Sequence, residues 1–442
     1  MKSIITQEER QIAQWALKKA AQYGAQAARI TIYGGSGSIY ELRDLKIDRL
    51  QQSTEKQFTA HLFVDGRYSS IASNRIERNE IDQFIRQGIE NTRLLAEDPA
   101  RTLADPARYY KGTNDELELV DPSFYGTSAD QKLALAKAVG EEIFGTNERI
   151  ISVSSFYGDS IEQRYVVDSQ GFEGEGMATQ HSLGASVAIK GKGEARPSGM
   201  WYDTSIQQNK LITKHLGTTA LEHALSKIGA SKVASGLFPM LVDAQVSTKL
   251  LTPILSALSG SSLHQRSSFL IDKLDQPLFS PLMRLADDPH RKATMGARYY
   301  DDEGVATRPI TIIDEGRPQT YFIDTYHSMK LGITPTIGSA TVPVLEGSDS
   351  SQTDLLQQMN RGILVTGFNG GNCNGTTGDF SYGIEGFWVE NGLCQHPINE
   401  MNITGNMIDL WHNLIAVGND PVHYSTWKVP SLLFNDIQFS GL

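Results

Sequence analysis

Residues 370–392 read "GGNCNGTTGDFSYGIEGFWVENG". The first half is glycine and small polar residues. The second half sets glycines among Phe380, Tyr382, Phe387 and Trp388. Glycine permits backbone conformations and close approaches that other residues do not, and aromatic rings fill a core. The stretch reads as strands turning and packing closely, with Glu390-Asn391-Gly392 as a hairpin turn. It also holds Cys373, one of only two cysteines, which raises the question of a nucleophile on a flexible loop.

Outward from this stretch, the region after Ser231 is β-dominated. "LFPMLVDAQ" predicts a buried strand, and residues 246–258 predict a helix. Short strand-like runs with glycine turns follow: "GVATRPITIIDEGRPQTYFID", "GILVTGFNGG", "MNITGNMIDLW" and "DIQFSG". Asp314-Glu315-Gly316 predicts another hairpin turn.

The N-terminal half has a different grammar. Thr6 and Glu9 form a capping box before an apolar stripe at Ile12, Ala13, Trp15, Ala16 and Ala20, and Gly24 stops the helix. Strand-like runs start at Ala28, Ser38 and Gln57, with Asp65-Gly66 as a hairpin turn. A second helix is predicted over 76–95. The pattern then recurs: a capping box at Ser128 and Gln131, strands over 149–201, and a Leu/Ala-rich helix over 205–228. The expected fold class is α+β, with duplicated helix–strands–helix units ahead of a β-rich C-terminal region. The expected domains are 1–110, 111–230 and 231–442. A Pro- and Asp-rich linker crosses between the first two.

Composition narrows the function. The chain has 442 residues, 40% hydrophobic and 21% charged, with net charge −11. This describes a globular protein with real cores. The acidic balance argues against direct nucleic-acid binding. No run approaches the roughly 18 apolar residues of a membrane span, and the N-terminus has no signal-peptide core. A cytoplasmic location with reduced thiols is expected.

Chemistry-bearing motifs are sparse. None of the ten histidines pairs at i, i+4, the spacing that sets two imidazoles over one metal. "DDPH" at 287–290 reads as a Pro-centred surface turn. "GGSGS" at 34–38 and "GFEGEG" at 171–176 lack the phosphate-loop and dinucleotide spacings and read as turns. No G-x-S-x-G nucleophile elbow occurs. Cys373 has no histidine near it in sequence to lower its pKa. Cys394 follows a hairpin, where packing or surface exposure is expected.

"TTGDFSYGIEGFWVENG" and "ITGNMIDLWHNLIAVGND" resemble the C-terminal signature of the TldD/PmbA family, long labelled modulators of DNA gyrase. "SGSSLHQRSSFL", "DDEGVATRPITIIDEG" and "DTYHSMKLG" extend the resemblance across 245–442. The resemblance implies a heterodimeric metallopeptidase. Its TldD-like subunit supplies zinc from a His-Glu-x-x-x-His helix and a C-terminal cysteine, and peptides enter a cavity between the subunits. Here the matching helix reads "VSTKLLTPILSAL", with Pro253 expected to kink or break it. The C-terminal stretch "STWKVPSLLF" has no cysteine.

The resemblance therefore points to the TldE/PmbA-like branch: no catalytic residues, no metal ligands and no cofactor in this chain. Zinc would lie in a TldD-like partner, and a homodimer is expected in isolation. The glycine-rich loop would border the peptide cavity and pair with an extended substrate, with Asn372, Thr377 and Asp379 as polar contacts. The alternatives are a stand-alone hydrolase using Cys373, and a regulatory binding protein acting on DNA gyrase or on a toxin–antitoxin pair.

Overall fold

The structure is a computed structural model that describes residues 3–113 and 115–441. The first unit runs α1 (Gln7–Gln22), β1 (Ala27–Arg43), β2 (Lys46–Val64), β3 (Arg67–Ser73) and α2 (Arg78–Thr92). The second repeats that order with α3 (Ala129–Glu141), β4 (Ile150–Asp168), β5 (Glu173–Ile189), β6 (Ser198–Ser205) and α4 (Leu216–Ser226). Between them lie loops with two 3₁₀ turns, at Pro106–Arg108 and Phe124–Gly126. The fold class is α+β, as the sequence pattern implies.

Both capping boxes form, at Thr6/Glu9 and Ser128/Gln131. Asp65 and Gly66 both take positive φ, as a two-residue hairpin turn of this hand requires. The two units are fused. β1 and β4 pair antiparallel from Arg29↔Asp168 to Arg43↔Ser154, giving one six-stranded sheet in the order β3-β2-β1-β4-β5-β6. That order is symmetric about the β1–β4 seam, as a duplication would make it. α1 and α2 pack on Ile30, Ile32 and Tyr165, and α3 and α4 pack around Leu42, Val153 and Tyr157. These strand residues alternate in phase, so all four helices cover one face.

Three sequence expectations are corrected here. "GGSGS" at 34–38 is no turn but the middle of β1, paired on both sides. A side chain at Gly37 would meet the Asp159 carbonyl at 2.9 Å, so its glycine allows strands to approach. "GFEGEG" at 171–176 is a turn only at its start, where Gly171 has φ +97; β5 takes over from Glu173. The helix expected over 205–228 is also shorter, because Glu142 fixes where it starts. Its carboxylate accepts backbone N–H bonds from His215 at 2.8 Å, Gly217 at 2.7 Å and Thr218 at 3.2 Å. His215 turns into the left-handed region just before α4.

The C-terminal part comprises β7 (Gly236–Val242), α5 (Thr248–Ala257), α6 (Gly260–His264), β8 (Leu285–Asp287), β9 (Ile310–Asp314), β10 (Arg317–Pro318), α7 (Thr325–Leu331), β11 (Pro343–Leu345), α8 (Gln352–Met359), β12 (Gly362–Cys373), β13 (Asp379–Glu390), β14 (Leu393–Asn406), α9 (Met407–His412), β15 (Leu414–Val417) and β16 (Leu432–Ser440). One sheet runs β14-β13-β12-β7-β16-β15, and β14 also pairs with β16. Five strands thus close into a ring, which leaves no free edge among them. β7 and β12 are parallel. The remaining strands form a small sheet, β10-β9-β8-β11.

The opening stretch is β12, a tight loop and β13. Gly370 and Gly371 take positive φ beside a bulge opposite Tyr382. Gly386 lies so close to the Leu364 carbonyl that a Cβ would collide with it. Phe380, Tyr382 and Trp388 enter the main core. Phe387 points to the other side of the strand, against Leu241 and Leu355. α5 runs unbroken through Pro253, against the expected break. Buried Leu250, Leu251 and Ile254 hold it in place although one backbone donor is missing.

Replacing Glu142 with Ala leaves three N–H groups at the start of α4 without their acceptor. The expected cost is about 1–2 kcal/mol, read as a lower urea midpoint at unchanged m-value. An unchanged midpoint would show that the carboxylate does not anchor α4.

Candidate functional site

β6 is an outer strand of the six-stranded sheet, and it faces the C-terminal part across a cavity of about 1250 Å³. One wall is Ser198 to Asp203 of β6, with the neighbouring residues of α4. The other is built from the segment leading into α5 (243–245), Gln352, Glu385 to Phe387, Pro397 to Asn399, and the 420–424 loop. Trp201, Tyr202, Phe387 and Tyr424 make much of its lining aromatic.

At one end of β6, Asp203 is 1% exposed. Its Oδ2 accepts the Ile212 N–H at 2.8 Å, and its Oδ1 lies 2.6 Å from His423 Nε2. That approach is within ion-pair distance but poorly aligned, so Oδ1 has no hydrogen-bond donor. Tyr424 follows, its ring 5.0 Å from that of Tyr202 and its hydroxyl donating to Gln245 at 3.0 Å. Asp243 accepts from the Gln245 N–H and from Gln352 Nε2. Ser431 donates its hydroxyl to Asp420 at 2.7 Å and also accepts from Gln352.

The 420–424 loop is pinned from behind by Lys428. This side chain is 8% exposed and donates to the carbonyls of His423 at 2.7 Å and Ser425 at 2.6 Å. Burial, with a smaller repulsion from Arg291, pushes its ammonium down to about 8. The loop that carries His423 and Tyr424 therefore rests on a cation held by carbonyl dipoles.

The residues singled out in the sequence lie elsewhere. Asn372 is exposed on β12 opposite Ser381. Thr377 donates to Asp379 at 2.7 Å, and Asn406 Nδ2 donates to Asp379 at 3.0 Å. These bonds, Asn406's first, hold the Asp379 carboxyl below its usual range. The structure brings Thr377 and Asp379 together in a self-satisfied turn, and none of the three lines the β6 cavity. Cys373 is half-buried, and burial followed by the Asp379 charge pushes its thiol up, the reverse of an activated nucleophile. Cys394 is exposed.

"DDPH" is no surface turn. Asp287 is fully buried and accepts the N–H groups of Thr341 and Val342, while His290 meets Thr307. Asp203 and His423 were missed because 220 positions separate them, and no local pattern announces the contact.

These features define a class: an α+β protein in which a twinned sheet lays its edge along a closed C-terminal barrel, with a large cavity between them. The comparisons name the family. The model for the PmbA/TldA metallopeptidase C-terminal domain matches residues 235–441, and that for the PmbA/TldA metallopeptidase central domain matches 122–228. The chain belongs to the PmbA/TldD metallopeptidase family. It is 27% identical to the metalloprotease PmbA homolog of Haemophilus influenzae, over 98% of this chain and 96% of that one. It is 50% identical to a crystal structure from Bacteroides thetaiotaomicron whose name offers it as a modulator of DNA gyrase, with TM-score 0.97 over 99% of this chain and 100% of that one. TldE from Thermococcus kodakarensis shares the fold at TM-score 0.82 and 18% identity, over 97% and 100% of the two chains.

A metallopeptidase family raises the question of a metal, and the donor set here does not fit one. α5 reads "TKLLTPILSA" without His, Glu, Asp or Cys. Residues 425–434 hold no cysteine. Among the described residues, no three His, Cys, Asp or Glu side chains gather where they would share an ion. Among the described residues, no helix is long and apolar enough to cross a membrane.

Lys428 generates a pH test. Its folded value, about 8, lies below the ordinary 10.5, so between these values the unfolded chain binds the extra proton. Stability contributed by this group therefore rises with pH across that window, by at most about 1.4 kcal/mol per pH unit. Denaturation of the wild type and of Lys428→Met at pH 7 to 10 should show the wild type gaining on the variant above pH 8. A constant difference would mean that Lys428 is not desolvated.

Proposed function

We propose that this chain is the peptide-holding, non-catalytic subunit of a TldD/TldE-type zinc metallopeptidase, with the zinc carried by a TldD-like partner in the cytoplasm. The observation that carries this is α5. The segment leading into it, 243–245, lines the cavity, yet where the family's catalytic branch has its metal-binding helix α5 offers Leu250, Leu251, Pro253 and Ile254. A helix of that composition packs but cannot ligate an ion.

The rest of the cavity suits an extended peptide. An unpaired strand edge offers main-chain donors and acceptors whatever the sequence of the ligand. Aromatic and apolar walls take side chains of many kinds. Such a surface fits trimming of peptides and degradation of small unfolded proteins better than recognition of one sequence. Bond cleavage would be left to the partner's metal-activated water.

The test is assembly. The isolated chain, dialysed against buffer with zinc and then without, is expected to retain well under one zinc per chain by elemental analysis. Co-expressed with a TldD-like chain from the same genome, it should co-purify and give peptidase activity that it lacks alone. One tightly held zinc per isolated chain, or turnover by that chain, would overturn the proposal. Recovery of gyrase in place of a peptidase subunit in a pull-down would favour the regulatory alternative.

A further inference from the structure

The charges around the cavity are sorted along β6. At the Ser198 end, the loop entering the strand carries Lys192 and Arg196, both exposed and both lining the cavity. Among the described residues neither has an ion-pair partner. Lys227, at the end of α4, also lines this end, but Glu385 neutralises it at 2.9 Å. At the Asp203 end the sign reverses. Asp203, Asp243 and Asp420 are linked through His423, Tyr424, Gln245, Gln352 and Ser431 into one connected wall. None of these three carboxylates is paired with Lys or Arg among the described residues, and buried Asp203 keeps an oxygen without a hydrogen-bond donor.

α4 fixes which end is which. Its C-terminal half packs on Gly199, and Gly229 beyond it lies beside the Lys192 ammonium. Ile212, ahead of α4, bonds Asp203.

We infer that these two poles read the free ends of a short peptide. The carboxylate sits between Lys192 and Arg196, and the ammonium sits against the Asp203–Asp243–Asp420 wall. A peptide so held runs antiparallel to β6, the same sense in which β5 already pairs with the other edge. From Ser198 to Asp203 the strand spans about 16 Å at roughly 3.3 Å per residue, the length of about six residues. What this cavity holds by both ends is thus a short peptide, such as a late substrate or product of trimming and degradation, rather than the interior of a long chain. The inference rests on the proposed peptide-holding role and adds direction and length to it.

The experiment uses the full chain, alone and with its TldD-like partner, and one alanine-rich hexapeptide in four forms: free, N-acetylated, C-amidated and doubly blocked. Binding is read by titration calorimetry at low salt. Each block is expected to weaken binding about tenfold, the worth of one charge-assisted hydrogen bond. In the Lys192→Gln/Arg196→Gln variant, amidation should no longer matter while acetylation still does. Asp243→Asn, which keeps an acceptor for Gln352, should blunt the effect of acetylation alone. Both sites are polar and only partly covered, and thermal melts check that the variants fold.

If all four peptides bind equally, the poles do not read peptide ends and the inference falls, while the peptide-holding role stands. If the Lys192/Arg196 variant loses sensitivity to acetylation instead, the direction is wrong. If no form binds, with or without the partner, both readings fall together.

Discussion

The antiparallel seam between β1 and β4 sets the positions of everything else in the N-terminal half. Each helix–strands–helix unit presents three strands and two helices, and alone would leave a long strand edge open to other chains. Pairing the two first strands removes both inner edges at once. It leaves β3 at one border and β6 at the other. The seam is tight at Gly37, and it is tied by buried polar contacts. Ser38 donates to Asp159 at 2.5 Å, with Lys132 on the other carboxylate oxygen at 2.5 Å. At one end Arg29 pairs with Asp168 at 3.1 Å, both nearly solvent-free. Removing one partner of such a pair strands a buried charge, at a cost of roughly 3–5 kcal/mol.

Arg29 also carries the seam's geometry into the second half of the molecule. Its guanidinium donates to the carbonyls of Asp302 and Glu303 at 2.8 and 2.6 Å. Tyr109, from the loops between the two units, adds a hydroxyl bond to Asp168. The burial of this junction, with the Asp168 charge beside it, raises the Tyr109 phenol above its ordinary range. One cluster therefore joins the sheet, the connecting loops and the C-terminal part. Across the cavity itself, Asp203 meets His423 and Lys227 meets Glu385.

The barrel obeys a different constraint. Closing five strands into a ring forces backbones together at a few points, and glycine answers at Gly371 and Gly386. The glycine-rich stretch is thus mainly an architectural device. Its polar half folds on itself through Thr377, Asp379 and Asn406, while its aromatic half divides between the two faces of β13. Chemistry gathers elsewhere, where loops of the barrel meet an outer strand of the sheet.

Local physics was legible in the amino-acid order. Thr6 before Glu9 and Ser128 before Gln131, each ahead of an apolar stripe, start α1 and α3, and Asp65-Gly66 and Asn391-Gly392 turn hairpins, because each signal acts within a few residues. The family, too, is carried by contiguous motifs, and the lack of His, Glu, Asp and Cys in α5 can be read letter by letter. Tertiary structure alone decided that "GGSGS" continues a strand, that Pro253 stays inside a helix, and that Asp203 meets His423. These outcomes depend on partners far apart along the chain, and contacts of that range leave no periodic or neighbouring mark for a one-dimensional reading to find.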